Sequence, residues 1–538
     1  MSRMTVVSVS ATLTCATVLA AWSAVRAPRL EATVPVEDPR LNVLVIVWDT
    51  VRADRLSPYG AERPTTPWLA EASRDAVVFE QAHSPGIWTL PAHASMFTGL
   101  PPESTGADER WIWLDGHHTT LAEHFADQGF GTFAMAANPL LCDQTNLLQG
   151  FRVQWQTYDP RHRGQARALT QAKLIEGDRS QELAPDWEAP SHGATNAEWA
   201  RARFKDAAPL VGEKFLSWVD HRKDPDAPFL AYLNLMEAHT PRLPSAEARK
   251  SVINDDRIER RALRTDASHI RLHFYNFRKQ RYSKRDLEAI NAVYDATLRD
   301  LDDATQAVFA GLEERGLLQS TVIVLTSDHG ENLGEHHLFN HRFALWQTLT
   351  HVPLIVWHPQ LGPARRPAPV STRDLFGTLA RLAHVDVPDG LGDWWTAPSP
   401  AVSWLAKPLR REIETVKKVH SSVEVEPWIR SGHALVRGTD KVMALSDGTI
   451  EVYDLAEDPK EEDPVDDASL QDALLADLKA YQATVPAYDP SLRGPEDQPM
   501  VVRASQDELR EHLTALGYVV EDPSESTSSE DGTDGSIE

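Results

Sequence analysis

Asp328 and His329 stand side by side directly after a β-branched run, Val322 to Leu325, and three more histidines follow at 336, 337 and 341. A carboxylate and gathered imidazoles are the side chains that hold divalent cations. A second carboxylate, Asp49, closes the apolar run Asn42 to Trp48. A third apolar run, Pro228 to Leu235, is followed by Glu237 and His239. Thr89 lies just ahead of Pro91, where the segment takes on helix-start character. The dipole and free N–H groups of a helix start favour an anionic group there. Asp49, Thr89, Asp328 and His329 together would make a site for Zn²⁺, Mn²⁺ or a similar cation, with a hydroxyl at its edge. A hydroxyl so placed becomes a nucleophile, because the cation stabilises its deprotonated form.

Such a site needs a frame that carries distant residues to one edge. The apolar runs at 42–48 and 322–325 read as buried parallel strands, and those at 130–136, 228–235 and 352–357 as further strands. Helical patterns lie between them, at 68–73, 120–128, 215–221, 286–314 and 374–384. Alternating strands and helices predict a doubly wound, mostly parallel α/β sheet, in which chemistry sits beyond the carboxyl ends of the strands. Gly330 is expected to let the chain turn there without a Cβ clash. From about residue 410 the texture changes. Short runs at 433–437, 442–445 and 450–453, with a Ser446-Asp447-Gly448 turn, predict a smaller antiparallel sheet.

The chain has 538 residues, too many for one ordinary core, so a large domain and a smaller one are expected. The boundaries read as a signal peptide or membrane anchor over 1–25, a Pro-containing linker over 26–40 and a catalytic domain over 41–405. A C-terminal subdomain over 406–490 and a helix with an acidic tail over 491–538 follow. Arg3 precedes an uncharged run to Val25, and Ala21-Trp22-Ser23 offers small residues for cleavage, so the body is expected outside the cytoplasm, with membrane contact at the N-terminus if the segment is kept. A net charge of −25 argues against a nucleic-acid partner. Two cysteines, Cys15 and Cys142, exclude a disulfide framework, and Cys142 reads as a small apolar residue. Residues 249–285 depart from the acidic average, with twelve Lys or Arg against four acids. They read as a solvated helical face or as a collar for an anionic substrate. Residues 160–205 read as polar and irregular.

Six segments, in order, resemble the sulfatase-like branch of the alkaline phosphatase superfamily. They are Asn42–Gly60, Thr65–Leu69, the WTLPAHASMFTG of Trp88–Gly99, Glu237–Pro241, the TSDHGENLGEH of Thr326–His336, and Tyr453-Asp454-Leu455 with Asp458-Pro459. The resemblance covers roughly residues 41 to 480. It implies an alkaline-phosphatase-like main domain with a smaller C-terminal sheet domain, a divalent cation (Zn²⁺, Mn²⁺ or Ca²⁺) and an anionic ester substrate, such as a sulfated or phosphorylated glycan or lipid.

The departures from that pattern matter. Sulfatases carry C/S-x-P-x-R, whose first residue is oxidised to formylglycine. Aligning Pro91 places Thr89 at that position and His93 at the arginine position. Thr50 stands where many sulfatases have a second aspartate, and His329 where they have asparagine, which points away from an all-oxygen Ca²⁺ site. The pattern resembles the threonine-nucleophile relatives. A threonine sulfate ester has no second hydroxyl with which to expel sulfate, whereas a phospho-threonine is opened more readily by water, so the chemistry leans toward phosphate or phosphonate esters. In-line attack by Thr89 is expected, with His239, His336, His341 and His93 stabilising the transferring oxygens or protonating the leaving group. Two other readings are a phospho-alcohol transferase acting on a lipid or glycan, and a catalytically silent module that binds anionic glycans.

Overall fold

The computed structural model describes residues 40–176, 204–408, 410–495 and 497. The segment expected over 1–25, the linker expected over 26–40 except Arg40, and the part beyond residue 497 of the expected helix and acidic tail lie outside the described residues.

The main sheet has eight strands. In chain order they are β1 (Asn42–Trp48), β2 (Val77–Phe79), β3 (Gly131–Ala136), β4 (Val153–Gln156), β5 (Phe229–Leu235), β6 (Thr321–Thr326), β7 (Leu354–Trp357) and β8 (Ala364–Arg366). Their spatial order is β8-β2-β7-β6-β1-β5-β3-β4. Only β7 runs against its neighbours, so the sheet is the mostly parallel one expected. β1 sits at its centre, between β5 and β6. Along β1, Val43, Val45 and Val47 enter one core while Leu44, Ile46 and Trp48 enter the other. Side chains alternate across a strand, so a continuous apolar run is what burial on both faces requires. One layer is led by the 31-residue helix Lys284–Glu314, whose start is closed by a reciprocal cap between Ser283 and Asp286.

Several expectations shift in detail. The helix at 215–221 begins earlier, at Ala208, and ends at Asp220. Pro353 separates the pair His351–Val352 from β7, because proline cannot donate to a ladder. The stretch expected to be irregular contains a helix, Arg163–Glu176, whose polar composition hid its periodicity. The basic segment forms three helices, Ala246–Val252, Asp256–Arg264 and His269–Asn276. Part of its charge is met locally, by Arg249–Glu259, Arg257–Asp255, Arg261–Asp286 and Arg271–Asp266.

The C-terminal sheet has four antiparallel strands: β9 (Ala401–Leu405), β10 (Gly432–Arg437), β11 (Asp440–Leu445) and β12 (Ile450–Asp454). The helix Ala468–Thr484 covers one face through Leu474, Leu478 and Tyr481. β9 was not anticipated, since it lies far from its partner β10 in sequence. Among the described residues no helix is long and apolar enough to cross a membrane.

Candidate active site

β1 and β6 are adjacent and parallel, paired from Asn42↔Thr321 to Val47↔Thr326. Their common register delivers Asp49 and Asp328 to the same sheet edge. Two tight turns then fix the carboxylates. Thr50 adopts φ 62°, and its N–H donates to Asp328 Oδ1 at 3.3 Å. The His329 N–H donates to the same oxygen at 2.9 Å. Ser327 Oγ receives the Val51 N–H and donates to the His329 carbonyl, stitching the two strand exits together. Gly330 is required by close approach rather than by a left-handed turn. A Cβ there would lie 2.0 Å from the Thr348 carbonyl oxygen.

Asp49, Asp328 and His329 are fully buried, and each offers one ligand atom within 4.8 Å of the other two. Asp49 Oδ1, Asp328 Oδ2 and His329 Nε2 have no hydrogen-bond partner in the protein. Buried polar groups are nearly always paired, and here Asp328 Oδ2 and His329 Nε2 lie 3.3 Å apart, so the three atoms offer a compact place for a cation. The remaining atoms are held. Asn138 and Asn234 donate to Asp49 Oδ2 at 2.8 and 3.2 Å. His329 Nδ1 meets the Gly330 carbonyl at 2.9 Å, which puts the proton on Nδ1 and the lone pair on Nε2. Two carboxylates and one imidazole, with their outer atoms fixed, fit a divalent cation.

Burial, then the Asp328 charge, pushes the Asp49 carboxyl up to about 7, against the pull of His329, Asn138 and Asn234. Burial likewise pushes Asp328 up to about 7, opposed by the Thr50 and His329 N–H groups and by the Thr89 hydroxyl. Burial holds His329 below its usual range. The protein therefore builds a site that resists its own ionised form, as cation sites do before their charge is met.

Thr89 is the first residue of a buried helix, Thr89–Thr98, two residues earlier than expected. Its Oγ1 receives the Asn138 amide at 3.2 Å, so Asn138 spans Asp49 and the hydroxyl. His93 lies beneath it. Its Nδ1 meets the Thr89 carbonyl at 2.8 Å and its Nε2 meets the Tyr232 hydroxyl at 2.6 Å. Both nitrogens are thus used within the protein, and burial pushes the ring down to about 3. His93 was expected to act on substrate oxygens; the structure places its ring under the start of the helix, with Nδ1 3.7 Å from Asp328 Oδ2.

His239 and His341 come to the same edge. Their rings lie 5.3 Å apart, and the His341 ring is 4.5 Å from that of His329. His239 Nδ1 meets the Thr240 carbonyl at 2.7 Å, and His341 Nδ1 meets Glu331 Oε1 at 3.3 Å. Arg242 in turn pairs with Glu331 at 2.8 Å. Burial holds both imidazoles well below their usual range; His341 further lowers His239, and His329 and Arg342 further lower His341. His336 is not brought to this cluster. Its ring stacks on Trp346 at 3.9 Å and its Nε2 meets the Lys460 carbonyl at 3.0 Å. His336 was expected to be catalytic; the structure places it against Trp346 and the Lys460 carbonyl instead. His337 stacks on Tyr275 at 3.9 Å.

Residues 41–385 match the family described as Sulfatase, well over half of the chain. The chain belongs to the sulfatase family. Among curated relatives, it is 23% identical to an ulvan-active sulfatase of Formosa agariphila, over 66% of this chain and 64% of that one. It is 23% identical to arylsulfatase K of Bos taurus, over 78% and 77%. The match thus spans just under two thirds of the length of the Formosa protein. Among solved structures, the phosphonate monoester hydrolase of Agrobacterium radiobacter superposes with a TM-score of 0.60 at 18% identity, covering 83% of this chain and 96% of that one. That superposition rests on the fold described above, a large mostly parallel sheet with a separate small antiparallel one.

Asn138, Asn234, Tyr232, Glu331 and Arg242 were not foreseen as site residues. The signal for two of them was present. Tyr232 and Asn234 are the polar members of the run PFLAYLNL, and a polar side chain in a doubly buried strand needs a partner. Asn138, two residues past β3, carried no such mark.

Proposed function

We propose that this protein hydrolyses sulfate or phosphate-type esters, including phosphonate monoesters, by in-line attack of Thr89, with a divalent cation held by Asp49, Asp328 and His329. The observation that carries this reading is the convergence of three orphaned ligand atoms beside a hydroxyl at a helix start. A cation there, when bound, supplies the positive charge that draws in an anionic ester and eases deprotonation of a neighbouring hydroxyl.

The chain's own residues do the rest. Asn138 donates to Thr89 Oγ1 and so fixes which lone pair faces the substrate. Attack forms a bond from Thr89 Oγ to sulfur or phosphorus and breaks the bond to the leaving oxygen, and the proton given up by Thr89 passes to that oxygen. Water then opens the threonine ester and regenerates the hydroxyl. Because Thr240 accepts at His239 Nδ1, the basic nitrogen of that ring is Nε2, suited to taking the proton of the attacking water. Glu331 orients His341 in the same sense. An imidazole protonated in this step returns the proton to Thr89 Oγ as the ester opens.

The lack of a second hydroxyl on Thr89 favours phosphate or phosphonate esters over sulfate esters. An anionic glycan substrate is supported by the relatives, among them the ulvan-active sulfatase and a structure solved with its substrate D-glucosamine-2-N,6-O-disulfate. The uncharged run to Val25 supports export. Kinetics on aryl sulfates, phosphodiesters and phosphonates after reconstitution with Zn²⁺, Mn²⁺ or Ca²⁺ test the reading. Thr89→Ala is expected to abolish turnover while cation binding persists; full activity in that variant would remove Thr89 from the mechanism.

A further inference from the structure

The C-terminal sheet reaches toward the active site through one buried ion pair that the hydrolytic step leaves unused. Lys441 on β11 and Glu461, a few residues past β12, are both buried, and Lys441 Nζ lies 2.5 Å from Glu461 Oε1. Neither group stops at its partner. Lys441 Nζ also donates to the Leu345 carbonyl at 2.6 Å, and Glu461 Oε2 accepts the Gln347 N–H at 2.5 Å. Gln347 opens a helical turn, where backbone donors have no partner within the helix. A buried ion pair is often no more stabilising than apolar side chains of the same volume. This one supplies a donor and an acceptor to the backbone of another part of the chain.

That backbone leads from the site's imidazole. Within 336–343, His336, His337, Asn340 and Phe343 are left-handed, at φ 50°, 62°, 64° and 70°. Non-glycine backbone of this kind persists where its surroundings over-determine it. His341 lies inside the stretch, with its ring 4.5 Å from that of His329. On the far side of Gln347, the turn Gln347–Thr350 grips the strand exit that carries His329. The Leu349 and Thr348 carbonyls accept the Gly330 and Glu331 N–H groups, each at 2.8 Å. Thr348 Oγ1 donates to Asn332 Oδ1 at 2.6 Å. Glu331 is the carboxylate that meets His341 Nδ1. Imidazole and carboxylate thus belong to two segments joined through residues 345–347, the stretch that the ion pair holds.

We infer that Lys441 and Glu461 are positioning residues: their pair fixes residues 345–347 and thereby sets the placement of His341 against Glu331 and His329. Neither side chain is part of the reacting cluster; both act through the loop. The effect on turnover rests on the ester-hydrolase reading, and the experiment separates the two.

The full chain, loaded with Zn²⁺ or Mn²⁺, is assayed on 4-nitrophenyl sulfate and bis(4-nitrophenyl) phosphate. Lys441→Met/Glu461→Leu replaces the pair by apolar side chains and withdraws both loop contacts while the fold is kept. It is expected to lower kcat about tenfold and to change KM by less than about twofold, because a misplaced reacting group costs rate rather than binding. Leu478→Ala is the control. Leu478 packs with Val442 on the face of the sheet opposite to Lys441, so it weakens the same subdomain without touching the loop. It is expected to keep kcat within about twofold. Amide exchange over 329–333, followed by mass spectrometry, is read without turnover. It is expected to quicken about tenfold in the double variant and to stay at the wild-type rate in Leu478→Ala. Faster exchange where no form hydrolyses either ester supports the positioning role and counts against the hydrolytic reading alone. Unchanged exchange over 329–333, an unchanged kcat in the double variant, or an equal fall of kcat in Leu478→Ala overturns the inference. If the double variant does not fold, Glu461→Gln decides. Its amide has one acceptor oxygen where the carboxylate has two, so a smaller loss in the same direction is expected, and wild-type kcat and exchange in that variant overturn the inference.

Discussion

Asp49→Asn is expected to stabilise the cation-free protein and to abolish its stabilisation by cations. The Asp49 carboxyl is pushed up to about 7 in the fold, mainly by burial and then by Asp328, against an ordinary value of 3.8. Between those values the native state holds a proton that the unfolded chain has released, so stability falls as pH rises through this window. At about 1.4 kcal/mol per pH unit, the cost of ionising Asp49 in the native state reaches roughly 4 kcal/mol by pH 8. An asparagine is nearly isosteric, carries no charge, and its carbonyl still accepts from Asn138 and Asn234 at the Oδ2 position. It also relieves Asp328, whose carboxyl is pushed up to about 7 in the same pocket. Urea denaturation in excess chelator at pH 4 and pH 8 measures the effect. The variant is expected to match wild type at pH 4 and to exceed it by about 2–4 kcal/mol at pH 8, allowing for partial relaxation of the site. Added Mn²⁺ or Zn²⁺ is expected to reverse the order, because wild type then gains binding free energy that the variant cannot collect. The reasoning fails if the variant is no more stable than wild type at pH 8 in chelator, or if cations protect both equally.

Two further outcomes follow from the geometry. Asn138→Ala removes the donor that spans Asp49 and Thr89, and is expected to lower kcat by about 100-fold while cation content, measured by atomic emission, stays near wild type. His336→Ala leaves the cluster untouched and is expected to keep kcat within about twofold, with a stability loss of about 1 kcal/mol from the stacking on Trp346; a collapse of kcat on an intact fold would return His336 to the site.

The central sheet was legible because its strands are buried on both faces. Runs such as NVLVIVW carry that signal without reference to any other part of the chain. Asp49, Asp328 and His329 were legible for a related reason. A polar residue that ends such a run must sit at the sheet edge, and the parallel register of β1 and β6 brings the two edges together. β9 was not legible, because a short edge strand is defined by its partner β10 and not by its own pattern.

By itself, then, the sequence determined which residues could carry the chemistry and which strands would deliver them. Tertiary structure alone decided which histidines arrive. His239, His341 and His336 look alike in the chain, yet two rings meet near His329 while the third lies on Trp346. Tertiary structure also decided that Asn138 ties the Thr89 hydroxyl to a carboxylate, and that His93 meets Tyr232. The physical reason is the same in each case. Burial and the sheet period are local properties of a segment, whereas a hydrogen bond between residues dozens of positions apart depends on loop paths that no single segment encodes.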